Sequence, residues 1–198
     1  DAYGYSKFAR VALGTNDIDF RARATSDEER DFLAAHVVGS QTTYKDIDKA
    51  DHVLLVGFEP EEESPIVFLR INKQVKKRGL KVTSIGTKLS IGVEKLGATF
   101  VKVAPGSEAA AIASQSLTAQ SIILVGERAS ESAGALSAVA SLVAQSGAKF
   151  AWIPRRAGER GALEAGAIGN LLPGGRPVTD AAARVDLASA WSVDSLPT

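Results

Sequence analysis

The stretch that decides the fold reads Val53-Leu54-Leu55-Val56-Gly57-Phe58-Glu59-Pro60. Its first four residues are apolar and half of them are β-branched, a pattern typical of a strand that is buried on both faces of a parallel sheet. Gly57 follows at the carboxyl end of the strand, the edge at which open α/β sheets bind ligands. The side chains that come next are carboxylates, where a phosphate-binding fold needs amides and cations: Glu59, Glu61, Glu62 and Glu63. The stretch therefore predicts a scaffold of the nucleotide-binding kind whose charges oppose such a ligand.

Four further runs of the same kind recur along the chain, and helical patterns separate them. The five predicted strands span residues 53–56, 81–85, 100–103, 121–125 and 150–153. Strands that alternate with helices in this way form a mainly parallel sheet with right-handed crossovers and helices on both faces. The predicted fold class is therefore α/β, a Rossmann-like three-layer domain.

The helix boundaries are marked by capping residues. Ser64 and Pro65 predict the start of a helix that ends at Gly79, and Ser107 predicts the cap of a later, alanine-rich helix. Ser26 with Glu29 forms a capping-box pattern. The apolar side chains at helical spacing are Tyr5 and Phe8 in the first helix, Phe32, Leu33 and Val37 in the second, Phe68, Ile71 and Val75 after the first strand, and Leu136, Val139, Leu142 and Val143 before the last.

Length and composition limit the domain organisation. A chain of 198 residues can bury one sizeable α/β core. We predict a Rossmann-like domain over residues 1–154, and over residues 155–198 a Gly/Arg-rich loop and linker toward a following domain. Residues 155–176 hold six glycines, so we expect this loop to need a packing partner and to be loose without one. The start at Asp1 and the absence of methionine suggest a piece of a longer protein.

The chain contains no cysteine, which excludes disulfides, thiolate zinc sites and cysteine-bound iron–sulfur clusters within it. No apolar run reaches the length of a membrane span.

Charge is balanced overall but unevenly distributed. Residues 1–63 carry 14 acidic and 7 basic side chains, whereas residues 64–103 carry 1 and 9. The basic stretch is either a solvated helix face or a docking surface for a protein partner. Nucleic acid is an unsuitable partner, because the basic residues lack interleaved aromatic side chains and the chain is neutral.

Several short motifs follow one another in a distinctive order. They are Lys7–Arg10, Leu13–Asp19, Thr43–Tyr44, Val53–Gly57, Pro105–Ala110 and Gly161–Gly166. In this order and spacing the chain resembles the molybdopterin oxidoreductase family, whose fold is that of formate dehydrogenase and DMSO reductase. Two further motifs, Arg155–Gly161 and Asn170–Gly175, are similar to the branch of that family found in respiratory complex I.

The resemblance to the complex I branch implies a role in electron transfer from NADH to quinone. It implies iron–sulfur clusters bound upstream of Asp1, and, as partners, other domains of the same subunit and other complex I subunits. It also implies a place in the peripheral arm, on the cytoplasmic side of the bacterial inner membrane, without direct membrane insertion.

In relatives that carry the pterin cofactor, the loop after the first strand usually reads Gly-Ser/Thr-Asn-Pro, and the second strand ends in Asp-Pro-Arg. Here the two loops read Gly57-Phe58-Glu59-Pro60 and Gly86-Thr87-Lys88, and only Pro105-Gly106-Ser107-Glu108 stays close to the family pattern. The degenerate cofactor-loop positions are therefore Gly57, Phe58, Glu59, Pro60, Gly106, Ser107 and Glu108. We expect a domain that has lost molybdopterin and serves as a non-catalytic scaffold.

Other candidate sites each have a structural alternative. Arg155, Arg156 and Arg160 form either an anion site or a cross-domain salt-bridge patch. Residues 61–63 either bind a hard cation or form a solvated acidic loop. His36, on the core side of a helix, and His52, at a strand entrance, are interpreted as structural, as are the tryptophans, and no metal-ligand set or catalytic residue is identified.

Two alternative functions remain at this point. In the first, the chain is half of a working molybdenum or tungsten oxidoreductase, such as a formate dehydrogenase, that binds one pterin dinucleotide. Alternatively it is a free-standing nucleotide-binding domain, which the absence of a GxGxxG fingerprint disfavours.

Overall fold

The structure, a computed structural model, describes residues 1–197. Its central feature is a five-stranded parallel sheet in the order β3-β2-β1-β4-β5. The strands are β1 His52–Val56, β2 Lys81–Gly86, β3 Thr99–Lys102, β4 Ile122–Gly126 and β5 Lys149–Ile153. The α/β fold class is confirmed, and each predicted strand is found within one residue of its predicted ends.

Helices precede, connect and follow the strands. The α-helices are α1 Ala2–Val11, α2 Asp27–Phe32, α3 Tyr44–Lys49, α4 Pro60–Glu63, α5 Pro65–Arg78, α6 Ile91–Lys95, α7 Glu108–Ala113, α8 Ala135–Ser146, α9 Glu159–Glu164 and α10 Ala181–Trp191. A π-helical turn, Leu33–Val37, continues α2, and a 3₁₀ helix, Glu127–Glu131, follows β4. Two short antiparallel strands, β6 Leu171–Leu172 and β7 Arg176–Pro177, form a separate ribbon. Within residues 1–197 no helix is long and apolar enough to cross a membrane.

The chain divides into two compact units, residues 40–155 and residues 1–39 together with 156–198. The sequence-based division at residue 154 kept residues 1–39 with the sheet, whereas in the structure they pack with the C-terminal segment. That residues 155–198 lead to a following domain stays a prediction.

The sheet of unit 40–155 is buried on both faces. Val53 and Leu55 share a core cluster with Val67 and Ile71 of α5. The intervening Leu54 points to the opposite face and is 0% exposed, since successive side chains of a strand alternate. The predicted bounds of α5 are confirmed, because Pro65 is its first residue and Gly79 ends it in the left-handed conformation, but Ser64 stands at the N-cap without a side-chain cap bond.

Unit 1–39 with 156–197 is held together around a buried arginine that the sequence analysis did not single out. Arg10 of α1 is 2% exposed. Its guanidinium donates to three main-chain carbonyls, those of Gly166, Ile168 and Leu171, at 2.8, 3.2 and 2.7 Å. It also bonds to Ser6 Oγ, and to Asn16 Oδ1 at 2.8 Å. Burial lowers the pKa of Arg10 to about 10, so the side chain stays charged at neutral pH.

The first helix is found where predicted, but its aromatic side chains are not in the core. Tyr5 is 73% and Phe8 55% exposed, whereas Ser6 and Arg10 are buried. The polar face is turned inward because it supplies donors to carbonyls more than 150 residues away. The spacing of apolar residues alone does not show that the polar face of this helix is the buried one.

The glycine-rich segment 155–176 has its packing partner within the same chain. It contains α9, which was not predicted, and residues 1–39 contact it at several points. A Cβ at Gly169 would lie 2.8 Å from Asn16 O, and one at Gly175 would lie 2.0 Å from Val38. Contacts this close require glycine at these two positions.

Three local predictions are corrected. Ser26 accepts a bond from Glu29 N–H, but the Glu29 carboxylate binds Arg21 and Arg23 instead of completing a capping box. Ser107 precedes α7 without a side-chain cap bond. His36 is exposed, although its ring lies 5.4 Å from that of Phe32.

Candidate functional site

A cleft of about 760 Å³ lies at the carboxyl edge of the sheet, within unit 40–155. Residues from the loops that follow β1, β2, β3 and β4 line it. The direction in which strands are added to the sheet reverses here. β2 and β3 lie on one side of β1, whereas β4 and β5 lie on its other side. This is the position at which open α/β sheets hold their ligands.

Two glycines allow the carboxyl ends of β1 and β4 to approach each other closely at this edge of the sheet. Gly57 adopts a positive φ of 56°, and a Cβ there would lie 2.3 Å from the amide nitrogen of Ala129. A Cβ at Gly126 would lie 2.3 Å from the carbonyl oxygen of Gly57. Gly57 therefore makes a sharp turn after β1, and both it and Ala129 line the cleft.

Glu59 is turned into the cleft and is 8% exposed. One carboxylate oxygen accepts a hydrogen bond from the Ser90 hydroxyl, and the other accepts from the Glu61 N–H at 3.3 Å. The carboxylate rests on Gly92, where an added Cβ would lie 2.1 Å from Oε1. The Glu59 carboxylate is thus closely packed between Ser90 and Gly92.

Glu63, at the other end of α4, pairs with two arginines. Its Oε1 lies 2.9 Å from Arg128 and 3.1 Å from Arg155, and its side chain is 9% exposed. Arg155 also donates its N–H to Glu127 Oε1 at 2.7 Å. The guanidinium of Arg128, which lines the cleft, is thereby held by a carboxylate of the same chain.

The charges around the cleft are mostly negative. Four carboxylates line it against two cations, and these groups are Glu59, Glu62, Glu108, Glu131, Lys88 and Arg128. The Glu108 carboxylate accepts from the Ser132 hydroxyl at 2.7 Å. In the part of the chain that the structure describes, no group of three or more His, Cys, Asp or Glu side chains could hold a metal ion.

Most predicted cofactor-loop positions meet in this cleft. Gly57, Phe58, Glu59, Gly106 and Glu108 line it. The Phe58 ring belongs to the hydrophobic core and is 4% exposed. The remaining two positions differ, because Pro60 is buried in the first turn of α4 and Ser107 is exposed.

The three candidate anion-binding arginines each have a carboxylate partner. Arg155 pairs with Glu63, as described above. Arg156 lies 3.2 Å from Glu159, and Arg160 lies 3.1 Å from Glu164. The arginines also fall in different units, Arg155 in residues 40–155 and the other two in residues 156–198. Each arginine thus pairs with a carboxylate of its own unit, and both the anion site and the cross-domain patch stay predictions.

The polar groups at the amino edge of the sheet have structural contacts. His52 Nε2 lies 2.8 Å from Thr83 Oγ1, and burial lowers the pKa of His52. Hydrogen bonds from Thr118 and Ser121 lower the pKa of Asp51 despite an opposing effect of burial. The pKa of the Asp46 carboxyl lies well below its usual range because Lys149 and Thr43 donate to it.

A pterin dinucleotide does not fit the side chains of this cleft. Its pyrophosphate needs donors and cations, but the Ser90 hydroxyl and the Arg128 guanidinium are bound by Glu59 and Glu63. Two like charges about 4 Å apart near a protein surface repel by about 4 kcal/mol. The niche against Gly92 is also filled by the Glu59 carboxylate.

The sequence profile of the molybdopterin oxidoreductase family matches residues 2–173. The chain belongs to this family. Over its whole length it is 50% identical to the G subunit of NADH-quinone oxidoreductase from Mycobacterium bovis and 49% identical to the one from Streptomyces coelicolor. It spans about a quarter of these relatives, 26% and 27%. Over 57% of the chain, and 17% of the relative, it is 34% identical to the F420-dependent formate dehydrogenase subunit alpha of Methanocaldococcus jannaschii.

Three residues of the cleft were missed by the sequence analysis: Ser90, Gly92 and Arg128. The Ser90-Ile91-Gly92 stretch reads as an ordinary helix start, and its contact with Glu59 joins loops 31 residues apart. Arg128 follows a strand that was predicted correctly, so a search of all strand-end loops for charges could have found it.

Proposed function

We propose that this chain is the molybdopterin-oxidoreductase-type domain of the large subunit of an NADH-quinone oxidoreductase, and that it acts as a scaffold without a pterin cofactor. The observation that carries the scaffold role is the Glu59 carboxylate inside the cleft, bonded to Ser90 and packed on Gly92. Identity of about half over the whole chain supports the assignment to this type of subunit.

In this proposal the chain takes no direct part in electron transfer. Without cysteine it offers no thiolate for an iron–sulfur cluster, so electrons would travel through clusters held elsewhere in the subunit. Its partners would be other domains of that subunit and other subunits of the complex. Its place would be the peripheral arm, on the cytoplasmic side of the bacterial inner membrane.

If it were bound, a molybdopterin would supply two-electron redox chemistry at its metal. The residues around the cleft do not fit it, so no step of the proposed function passes through that group. In this proposal the domain serves as a structural support. Its sheet is buried on both faces, and ion pairs of Glu63 with Arg128 and Arg155 join the loops at the carboxyl edge.

Affinity purification tests both parts of the proposal. The full-length protein that contains this chain is tagged in its native host and purified under mild conditions. We expect NADH:quinone oxidoreductase activity to co-purify, with molybdenum, tungsten and extractable pterin far below stoichiometric amounts. Stoichiometric pterin and metal would contradict the scaffold role, and purification without that activity would contradict the assignment to the complex.

The alternative of a working pterin-dependent oxidoreductase draws on the similarity to the formate dehydrogenase subunit. The same purified material decides it. Formate-dependent reduction of a dye, together with stoichiometric pterin, is the result that the alternative predicts.

A further inference from the structure

We propose that the turn from Glu59 to Glu63 is an intramolecular anion, which binds the Ser90 hydroxyl and the Arg128 guanidinium of the cleft and so disfavours the binding of nucleotide pyrophosphates there. The proposal rests on the proposed function and deepens it, because it assigns the loss of ligand binding to two particular side chains. Glu62, which lines the same cleft, serves as the control.

The first step concerns the space that Glu59 takes. Its carboxylate lies against the Cα of Gly92, with Oε1 2.1 Å from where a Cβ would be. Because position 92 is a glycine, the carboxylate has room there, whereas any residue with a Cβ would clash with it. The space above Gly92 is therefore taken by the chain's own carboxylate.

The second step concerns hydrogen-bond donors. The Ser90 hydroxyl and the Glu61 N–H both donate to the Glu59 carboxylate. Ser90 Oγ also accepts from Val93 N–H at 3.2 Å, which fixes the hydroxyl at the start of α6. Charge-assisted bonds of this kind are stronger than neutral ones, so a phosphate entering the cleft finds these donors already taken.

The third step concerns the cation. Arg128 lines the cleft, and Glu63 holds its guanidinium at 2.9 Å. Glu63 also accepts the N–H of Glu59 at 3.3 Å. The two carboxylates are thus coupled through the short helix α4, one filling the niche and the other binding the arginine.

Glu62 differs from these two residues and provides the matched control. It lines the same cleft and carries the same charge, but it is exposed. Replacing Glu62 changes the net charge of the cleft without vacating the niche or releasing Arg128.

The test uses inorganic pyrophosphate as the probe, with calorimetry on the purified wild-type chain and on three variants. Glu59→Ser keeps a residue that favours the helix N-cap while it empties the niche. Glu59→Ser/Glu63→Gln also releases Arg128, and Glu62→Gln is the control. We expect the double variant to bind pyrophosphate at least about tenfold more tightly than wild type, the single Glu59 variant to be intermediate, and the control to match wild type.

Thermal melting of the same proteins provides a second readout. Pyrophosphate should raise the Tm of the double variant and leave that of wild type unchanged, since a ligand stabilises only the protein that binds it. Equal, weak binding by all four proteins overturns the intramolecular-anion proposal and leaves the scaffold function intact. An equal gain in the control and the double variant also overturns it, because net charge alone would then be responsible. Tight binding by wild type overturns both.

Discussion

At the scale of single residues, the buried charge of Arg10 has a structural role. Arg10 has no carboxylate among its hydrogen-bond acceptors, which are main-chain carbonyls, a hydroxyl and an amide oxygen. A planar guanidinium with five donors can satisfy several carbonyls at once. Arg10 therefore joins the N-terminal helix to the glycine-rich segment within their unit.

Replacing Arg10 with Met keeps an apolar stem but leaves the carbonyls of Gly166, Ile168 and Leu171 without this donor. The Gly166 carbonyl still accepts from the Ser6 hydroxyl and the Ile168 carbonyl from the Leu171 N–H, so fewer than three carbonyls become unsatisfied. One unsatisfied buried polar group costs about 1–3 kcal/mol, and we expect a loss of that size in the free energy of unfolding. Amides of residues 157–169 should also exchange with solvent faster than in wild type. Arg30→Met, which removes exposed ion pairs, should cost less than about 1 kcal/mol. Similar values for the two variants would contradict the role of Arg10.

His52 introduces a pH dependence whose sign follows from its lowered pKa. The unfolded chain, with a histidine pKa of about 6.5, binds a proton more readily than the folded chain does. Stability is therefore highest above the unfolded pKa and falls as the pH drops through and below it. Replacing His52 with Gln should flatten the unfolding free energy between neutral and mildly acidic pH, as measured by urea titration. An unchanged slope would show that His52 does not cause it.

At the scale of elements, the packing of β1 against its neighbours decides how the cleft is formed. The strand ends at a glycine that touches the loop after β4, so the two chain segments meet at the point where the strand order changes direction.

Gly57→Ala tests the close approach, and Gly79→Ala is its control. Both glycines have a positive φ, 56° and 67°, but a Cβ at Gly79 has open space around it. The two variants share the conformational strain, whereas only the first adds a clash with Ala129, and overpacking costs about 1–3 kcal/mol. We expect Gly57→Ala to be the less stable by that difference in chemical unfolding. Equal stabilities would mean that the backbone has room to spare there.

Leu55→Ala tests whether β1 is central to the fold. Leu55 is 0% exposed, and a cavity at such a site costs about 2–5 kcal/mol. Ile66→Ala, at a side chain that is 54% exposed, should change stability by no more than about 0.5 kcal/mol. A loss below about 0.5 kcal/mol for Leu55→Ala would place the strand outside the core.

At the scale of the whole molecule, the sheet could be predicted from sequence, whereas the grouping of the terminal segments could not. The five strands are continuous apolar runs, and such a signal is local. The carbonyl partners of Arg10 and the contact of Gly169 with Asn16 lie more than 150 residues away, and no local pattern identifies them. Likewise, the sequence predicted that the acids after β1 oppose a phosphate ligand, but it did not show that Glu59 turns inward onto Ser90.

Calorimetry on the wild-type chain measures directly whether the cleft binds a molybdopterin dinucleotide, and we predict that it does not. The chain is titrated with a molybdopterin dinucleotide and, separately, with NADH. The acidic turn occupies the niche and the guanidinium that a pyrophosphate would need, so we predict no saturable heat for either compound. Micromolar binding of the pterin dinucleotide or of NADH would contradict the account.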